Sequence, residues 1–246
     1  MKKLLAFIIT LVGIQTATAQ TKTALPPFAI VELFTSESSN TCPPADELLK
    51  KIQAEADKKK QPVYTIAYHV DYWNKSGWKD PYSKLQFTYL QQNYTSALNE
   101  KDMYTPYMII NGQYAFNGSH ENKATEAIER ALKTPAAYNI SIKKDSVVND
   151  TLYISYQSNA ASADASVKIL LLESELKSIV TAGENKGKTF LHENVCRAYQ
   201  SKTLGSKTGQ VKIAIKYFSL NKNTKLIAFV QQKGTLKIRG FCEGKL

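Results

Sequence analysis

Apolar residues in the first half of the chain group into runs that predict buried strands and amphipathic helices. Residues 28–34 form a continuous run of branched and aromatic side chains, which is typical of a strand buried on both faces. A similar run predicts a second strand over residues 63–69. Between them, residues 45–56 have helical spacing behind Cys42-Pro43-Pro44, with one apolar face formed by Leu48, Leu49, Ile52 and Ala56.

Two further helices are predicted in this half. The first opens at Asp80-Pro81 and runs to about residue 99, with Leu85, Tyr89 and Leu90 as its inward side chains. The last covers residues 123–132, where Ala124, Ile128 and Leu132 are spaced for one face.

A tight hairpin is predicted between these helices. Residues 107–110 and 113–116 flank Asn111-Gly112, a pair that supplies the positive φ angles of a short hairpin turn. The predicted order is therefore strand, helix, strand, helix, hairpin and helix, which defines an α/β domain over residues 26–136.

The pattern changes to strict alternation after Thr134. Five segments between Tyr138 and Val230 place apolar residues at every second position, with turn residues between them. A period of two predicts antiparallel strands with one buried face. We therefore expect an all-β antiparallel sandwich over residues 137–246.

The first 19 residues have the order of features found in a secretory signal peptide. Lys2 and Lys3 precede an apolar run over residues 4–14, and Ala17-Thr18-Ala19 supplies small residues for cleavage. The run is shorter than the roughly 20 residues of a membrane-spanning helix. We expect export to a periplasmic or extracellular, oxidising space, with no transmembrane segment in the mature protein.

Composition narrows the possible functions. The 246 residues include 32 Lys and Arg against 21 Asp and Glu, a formal charge of +11. These basic residues are spread along the chain rather than interleaved with aromatic ones, so we expect no nucleic acid partner. Three Cys exclude a four-cysteine zinc site, and the common nucleotide, zinc-protease and hydrolase signatures are absent. We expect neither a metal nor another cofactor.

Cys42 lies between the first predicted strand and helix, and it has two interpretations. Backbone N–H groups and the helix dipole at this position favour an anion, so the pKa of the thiol could be lowered. Alternatively, Cys42 is a buried cysteine that packs as a small apolar residue. The sequence favours neither interpretation.

Other polar and aromatic residues are predicted to lie near Cys42. His69 ends the second strand and could assist the thiol, with Asp71 orienting its ring. Trp73 and Trp78 could line a substrate groove, or could instead cover the end of a helix. A cis bond at Thr105-Pro106 could bring backbone groups against the cysteine, although only about 5–6% of X-Pro bonds are cis.

The remaining cysteines are a candidate disulfide. Cys196 and Cys242 lie in the second half, and an oxidising compartment would allow them to pair. Their pairing would leave Cys42 as a free thiol. The alternative is two buried free thiols.

Five motifs in order resemble an uncharacterised secreted thioredoxin-like family with the signature V-E-L-F-T-S-x-G-C-x-x-C-P-P-A-D. They cover residues 31–37, 42–46, 67–73, 77–81 and 104–108 with Asn111-Gly112, and residues 192–195 with Arg197 are a weaker match. The resemblance implies a thioredoxin fold for the first domain, a cis Thr105-Pro106 peptide, a β-sandwich behind it and a thiol-disulfide role.

The chain departs from this signature at its first cysteine. An ungapped match places Ser39 at that position and Cys42 at the second one. In thioredoxin-like enzymes the first cysteine is the nucleophile, and a hydroxyl of much higher pKa cannot perform thiolate exchange. The dithiol cycle is therefore not available to this loop.

Three functions follow from these observations. The first is a secreted thioredoxin-like protein without the dithiol pair that binds an extracytoplasmic peptide or protein through Ser39, Thr105 and Pro106. The second is a monothiol oxidoreductase in which Cys42 attacks, His69 assists and a small thiol or partner cysteine resolves the mixed disulfide. The third is a glycan-binding or adhesion module at the cell surface.

Overall fold

The computed structural model describes residues 24–246, so the predicted signal peptide lies outside the described residues. The first half contains the helices α1 to α3 and six strands. In chain order the elements are β1 Leu25–Pro27, β2 Ala29–Thr35, α1 Pro43–Lys59, β3 Val63–His69, α2 Leu85–Ala97, β4 Tyr107–Ile110, β5 Tyr114–Asn117, α3 Glu121–Ala131 and β6 Pro135–Ala136.

The second half is built from strands. They are β7 Ile140–Val148, β8 Thr151–Ser158, β9 Ala165–Glu173, β10 Leu176–Ile179, β11 Thr189–His192, β12 Val195–Thr203, β13 Thr208–Ala214, β14 Thr224–Gln232 and β15 Ile238–Gly244.

One mixed sheet of eight strands runs through both halves of the protein. Its order is β15-β14-β9-β12-β3-β2-β4-β5. Strand β3 is parallel to both β2 and β12, and the remaining neighbours are antiparallel. The join between the halves is short, because β12 and β3 pair through Val195 and Ala67 alone. The predicted boundary at residues 136/137 therefore separates segments of the chain that share a sheet.

Helices cover both faces of the sheet in the first half. Helices α1 and α3 pack on the face that carries Val31 and Leu33 of β2, and α2 packs on the opposite face with Ile30 and Phe34. Every residue of β2 is buried. The continuous apolar run at residues 28–34 is explained by this two-sided burial.

A separate antiparallel sheet, β13-β8-β7, covers the second half of the large sheet. Its alternating buried residues, such as Leu152 and Ile154 of β8, share one apolar core with Val167 and Ile169 of β9. Strands β10 and β11 form a two-stranded hairpin outside both sheets. The structure is therefore a mixed α/β fold with additional antiparallel sheets.

The hairpin turn was predicted correctly. Asn111 and Gly112 have φ angles of 49° and 66°, and the N–H of Gln113 donates to the carbonyl of Ile110. Both angles suit the tight turn that connects β4 to β5.

The predicted start and inward face of the second helix were wrong. Helix α2 begins at Leu85, and residues 80–83 form turns. Leu85 and Tyr89 are 53% and 57% exposed, whereas Leu90 is buried as predicted. The buried face follows Phe87, Leu90 and Tyr94, which are spaced by three and four residues.

Candidate functional site

The loop between β2 and α1 is the centre of the candidate site. We call residues 36–41 the serine loop, because Ser36, Ser38 and Ser39 are all buried within it. Cys42 follows at the helix N-terminus, and its side chain is fully buried. Burial, and then the negative charge of Asp46, raise the pKa of the Cys42 thiol. Cys42 therefore has the buried position of the second interpretation, and desolvation raises the pKa of its thiol instead of lowering it.

Ser39 and Thr105 meet through Thr41. The hydroxyl oxygens of Ser39 and Thr41 are 2.9 Å apart, and the Thr41 hydroxyl donates to the Thr105 carbonyl at 3.4 Å. The peptide bond between Thr105 and Pro106 is cis, as the family resemblance implies, and both residues are buried. Ser39, Cys42, Thr105 and Pro106 are therefore gathered at one place.

The two tryptophans are held by hydrogen bonds from their indole nitrogens. Trp73 Nε1 donates to Thr105 Oγ1 at 2.7 Å, and Trp78 Nε1 donates to Glu37 Oε2 at 2.8 Å. Both rings remain partly exposed. Trp73 therefore borders the surface beside Thr105, while Trp78 lies against the serine loop.

Asp80, not Asp71, orients His69. His69 Nδ1 lies 2.7 Å from Asp80 Oδ2, and Asp71 instead accepts a bond from the Thr88 hydroxyl. Asp80 Oδ2 also accepts from the N–H of Glu37 at 2.9 Å. The reason is local, because Asp71 lies beyond the end of β3 and is turned toward α2.

The pKa values of His69 and Asp80 move apart as expected of a buried pair. Burial lowers the pKa of His69, but the carboxylates of Asp80, Asp46 and Glu37 outweigh it and raise the pKa overall. Burial raises the pKa of Asp80, but His69 and backbone donors outweigh it and lower the pKa overall. His69 Nε2 is buried and has no hydrogen-bond partner among residues 24–246.

Glu37 joins the serine loop to the second half. Its Oε1 atom lies 2.8 Å from His192 Nε2, and its Oε2 atom accepts from Ser178 Oγ at 3.0 Å as well as from Trp78. His192 in turn stacks edge-to-face on His69, with ring centroids 4.8 Å apart. The β10–β11 hairpin is therefore fixed over the site by a buried carboxylate that accepts three bonds.

The charge of Asp46 affects both the Cys42 thiol and the two histidines. Asp46 accepts a hydrogen bond from Thr35 Oγ1 at 3.1 Å, and its charge acts on both Cys42 and His69. Burial raises the pKa of Asp46 to about 6, although the two histidines oppose this. The site consequently contains a carboxyl group that titrates close to neutral pH.

Five residues of the site were not predicted from the sequence. Four of them, Glu37, Asp46, Asp80 and His192, occur within the quoted family motifs, so a signal for them existed. The fifth is Asn185, which donates to the carbonyl groups of Glu37 and Ser39 and lies in a loop between β10 and β11 that carries no motif. These residues come from distant parts of the chain, and only the folded sheet brings them together.

The candidate disulfide between Cys196 and Cys242 is not formed, and all three cysteines are free. Cys196 is on β12 and Cys242 on β15, with β9 and β14 between them. Three strand spacings separate Cys196 from Cys242 by about 14 Å. A disulfide requires the two Cα atoms to lie within about 7 Å of each other. The two side chains also belong to cores on opposite faces of the sheet.

The described part of the chain contains neither a candidate metal site nor a candidate membrane-spanning helix. No group of three or more His, Cys, Asp or Glu side chains there is arranged to hold a metal ion. None of the helices in residues 24–246 combines the length and the apolar character needed to cross a membrane.

Comparisons with known proteins give one family and similar solved structures. The chain is similar to an X-ray structure of a protein from Agrobacterium tumefaciens, with 25% identity and a TM-score of 0.63 over 90% of this chain and 95% of that one. A domain of the outer membrane lipoprotein Omp28 from Porphyromonas gingivalis gives 17% identity and a TM-score of 0.26 over 44% of this chain and 94% of that one. No curated protein matches the chain. The family described as Protein of unknown function (DUF1223) matches residues 30–231, and the chain therefore belongs to that family.

Proposed function

We propose that this is an exported thioredoxin-like protein that does not exchange a dithiol and instead binds an extracytoplasmic peptide or protein. One observation carries the proposal. Cys42 has no exposed surface, and the ungapped motif match puts Ser39 where the family signature has its first cysteine. The loop therefore offers neither a thiolate nor an accessible thiol to a disulfide.

The thioredoxin-like assignment is supported by the arrangement of the first half. Strands β3, β2, β4 and β5 are adjacent in that order, with a parallel β2–β3 pair and two antiparallel pairs. Helix α1 starts directly after the serine loop, and Thr105-Pro106 lies against that loop through Thr41. A sandwich in the second half is supported by the β13-β8-β7 sheet, which packs on β9 and β14.

Export is proposed from the N-terminal sequence alone. Lys2 and Lys3, the apolar run over residues 4–14 and the small residues before Gln20 have the order of a signal peptide. The three free cysteines are compatible with an oxidising space, because two are buried and the third is partly buried.

Partner binding is supported by the aromatic residues that border Thr105. Tyr72, Trp73 and Tyr104 are each partly exposed, and Trp73 is fixed by its bond to Thr105. Rigid aromatic side chains at the edge of a buried polar site are frequent anchors in protein interfaces. An extended peptide could lie across these rings and past Thr105-Pro106.

The raised pKa and full burial of Cys42 weigh against the monothiol alternative. A thiol that attacks disulfides needs access and a substantial thiolate fraction near neutral pH. His69 makes no hydrogen bond to Cys42 among the described residues, because Nδ1 is paired with Asp80 and Nε2 has no partner there.

Disulfide turnover tests the missing dithiol. Purified full-length protein should not reduce insulin or an aromatic disulfide above the uncatalysed rate, whereas Ser39→Cys should acquire a reducible pair with Cys42. Robust turnover by the unmodified protein that is lost in Cys42→Ala would overturn the proposal.

Binding is tested with a displayed library of short unstructured peptides. We expect enrichment on the unmodified protein that falls at least about tenfold in Trp73→Ala. Lys75→Ala, an exposed change two residues away, is the matched control. Absence of enrichment on the unmodified protein would contradict the binding part of the proposal.

A further inference from the structure

A short segment of the second half lies along the serine loop and satisfies its backbone. We call residues 183–187 the cover segment. Asn185 Nδ2 donates to the carbonyl oxygens of Glu37 at 2.7 Å and of Ser39 at 2.9 Å. In the opposite direction, the N–H of Asn40 donates to Glu184 Oε2 at 3.1 Å.

The cover segment is held closely and in one orientation. Asn185 is fully buried, and Lys188 Nζ donates to its Oδ1 atom at 2.8 Å, which leaves the amide nitrogen facing the loop. Gly183 has a φ of +74°, and a Cβ atom there would lie 3.0 Å from the Ser76 carbonyl oxygen and 3.3 Å from Trp78 Cβ. A larger residue at position 183 would therefore crowd Ser76 and Trp78 and strain the left-handed backbone conformation of the segment.

We propose that the serine loop is a docking surface for an extended peptide, and that the cover segment occupies it in the isolated protein. The contacts define the chemistry of the occupant, which is a carboxylate side chain followed directly by a primary carboxamide, as in Glu184-Asn185. The carboxylate accepts from the backbone of Asn40, and the carboxamide donates to two carbonyl groups. This inference rests on the proposed partner-binding function and adds where, and with what chemistry, the partner binds.

The geometry explains why a partner of this kind can compete. The bonds are made to backbone atoms of the loop, so an equivalent acid–amide pair from another chain can form them as well. An opened loop would expose the carbonyl groups of Glu37 and Ser39 to water, and a partner that donates to both would replace that water. Release of the cover segment and capture of the partner are then linked.

Amide hydrogen exchange of residues 37–42 in the full chain tests the inference. Asn185→Ala removes the two bonds that Asn185 Nδ2 donates to the loop, and Gly183→Ala strains the backbone of the cover segment without removing any polar group. We expect exchange in this segment to become at least about tenfold faster in both variants. Lys186→Ala, whose side chain is exposed, is the control and should exchange like the unmodified protein.

A synthetic peptide with the sequence of residues 181–188 is then added to the Asn185→Ala variant. We expect it to restore slow exchange in residues 37–42, and the same peptide with alanine in place of its asparagine should not. Unchanged exchange in both variants, or faster exchange that the peptide does not reverse, would overturn the inference. Neither result alters the disulfide assay, so failure of this inference and failure of the proposed function are distinguishable.

Discussion

At the scale of single residues, the site is dominated by buried and partly buried carboxyl groups and their donors rather than by a nucleophile. Glu37, Asp46 and Asp80 surround two histidines, while the thiol of Cys42 points into the same interior with its pKa raised by burial. Hydrogen bonds from Thr105, Thr35 and Ser39 lower the pKa of Cys42, but desolvation is the larger effect. Reactivity inferred from the position of a cysteine alone is therefore misleading here.

Removing the Glu37 carboxylate should strongly destabilise the protein. Glu37→Ala leaves His192, Trp78 and Ser178 without an acceptor, and we expect a loss of about 3 kcal/mol or more in the free energy of unfolding. Urea denaturation measures this. Glu47→Ala is the control, because Glu47 makes an exposed contact with Lys50 and should cost less than about 0.5 kcal/mol. Equal losses in the two variants would contradict the role given to Glu37.

The raised pKa of Asp46 predicts a pH-dependent effect. Its folded pKa of about 6 lies above the unfolded value of about 3.9. The folded state therefore binds the proton more tightly, and the loss of stability caused by ionisation develops as the pH rises from about 4 to about 6 and is complete above that range. We expect Asp46→Asn to be more stable than the unmodified protein by about 1 kcal/mol near pH 8 and by much less near pH 4.5. Urea midpoints that differ equally at both pH values would contradict this interpretation.

At the scale of elements, the large sheet and its helices position the site. Strands β2 and β3 end side by side at Thr35 and His69, and the serine loop, α1 and the turns before α2 continue from those ends. Helix α2 is anchored on one face by Phe87, Leu90 and Tyr94, while its other face is open.

Substitutions on the two faces of α2 should differ in their effect on the free energy of unfolding. Leu90→Ala removes a side chain that is 3% exposed, and we expect it to cost about 2–5 kcal/mol. Leu85→Ala changes a side chain that is 53% exposed and should cost less than about 0.5 kcal/mol. Thermal or urea unfolding of the pair measures the difference, and a comparable loss at Leu85 would refute the observed helix face.

Local sequence patterns predicted where the helices and strands lie, but they predicted the contacts between these elements less well. The apolar runs of β2 and β3 and the Asn111-Gly112 turn depend on neighbouring residues, so they could be recognised directly. The face of α2 was misjudged because Leu85 and Tyr89 are apolar yet have nothing packed over them. The partners of Glu37 could not be derived, since Ser178 and His192 lie 141 and 155 residues away and are brought in by strand pairing.

At the scale of the whole molecule, the two halves form one sheet and share the site. Strand β12 pairs with β3, and β10 and β11 carry Ser178 and His192 to the serine loop. The change to alternating apolar positions near residues 136/137 marks a change from helices to strands. It does not mark the edge of the sheet.

The shared sheet predicts cooperative unfolding. Separation of the halves would expose β3, which is buried along nearly its whole length, and would leave Glu37 without His192. We therefore expect residues 24–246 to unfold in a single calorimetric transition. A matched test is Glu37→Ala, which should lower one common midpoint, and two resolved transitions would contradict the shared architecture.

The central claim is that Cys42, directly after the serine loop, does not exchange disulfides. Mapping the oxidation state of Cys42 during a redox challenge tests this claim most directly. The full-length protein would be incubated with oxidised and then reduced glutathione, alkylated at each stage and analysed by mass spectrometry. We predict that Cys42 remains a free thiol throughout and is alkylated rapidly only after unfolding. A disulfide on Cys42 that forms with the oxidised donor and opens with the reduced one, in folded protein, would contradict the account.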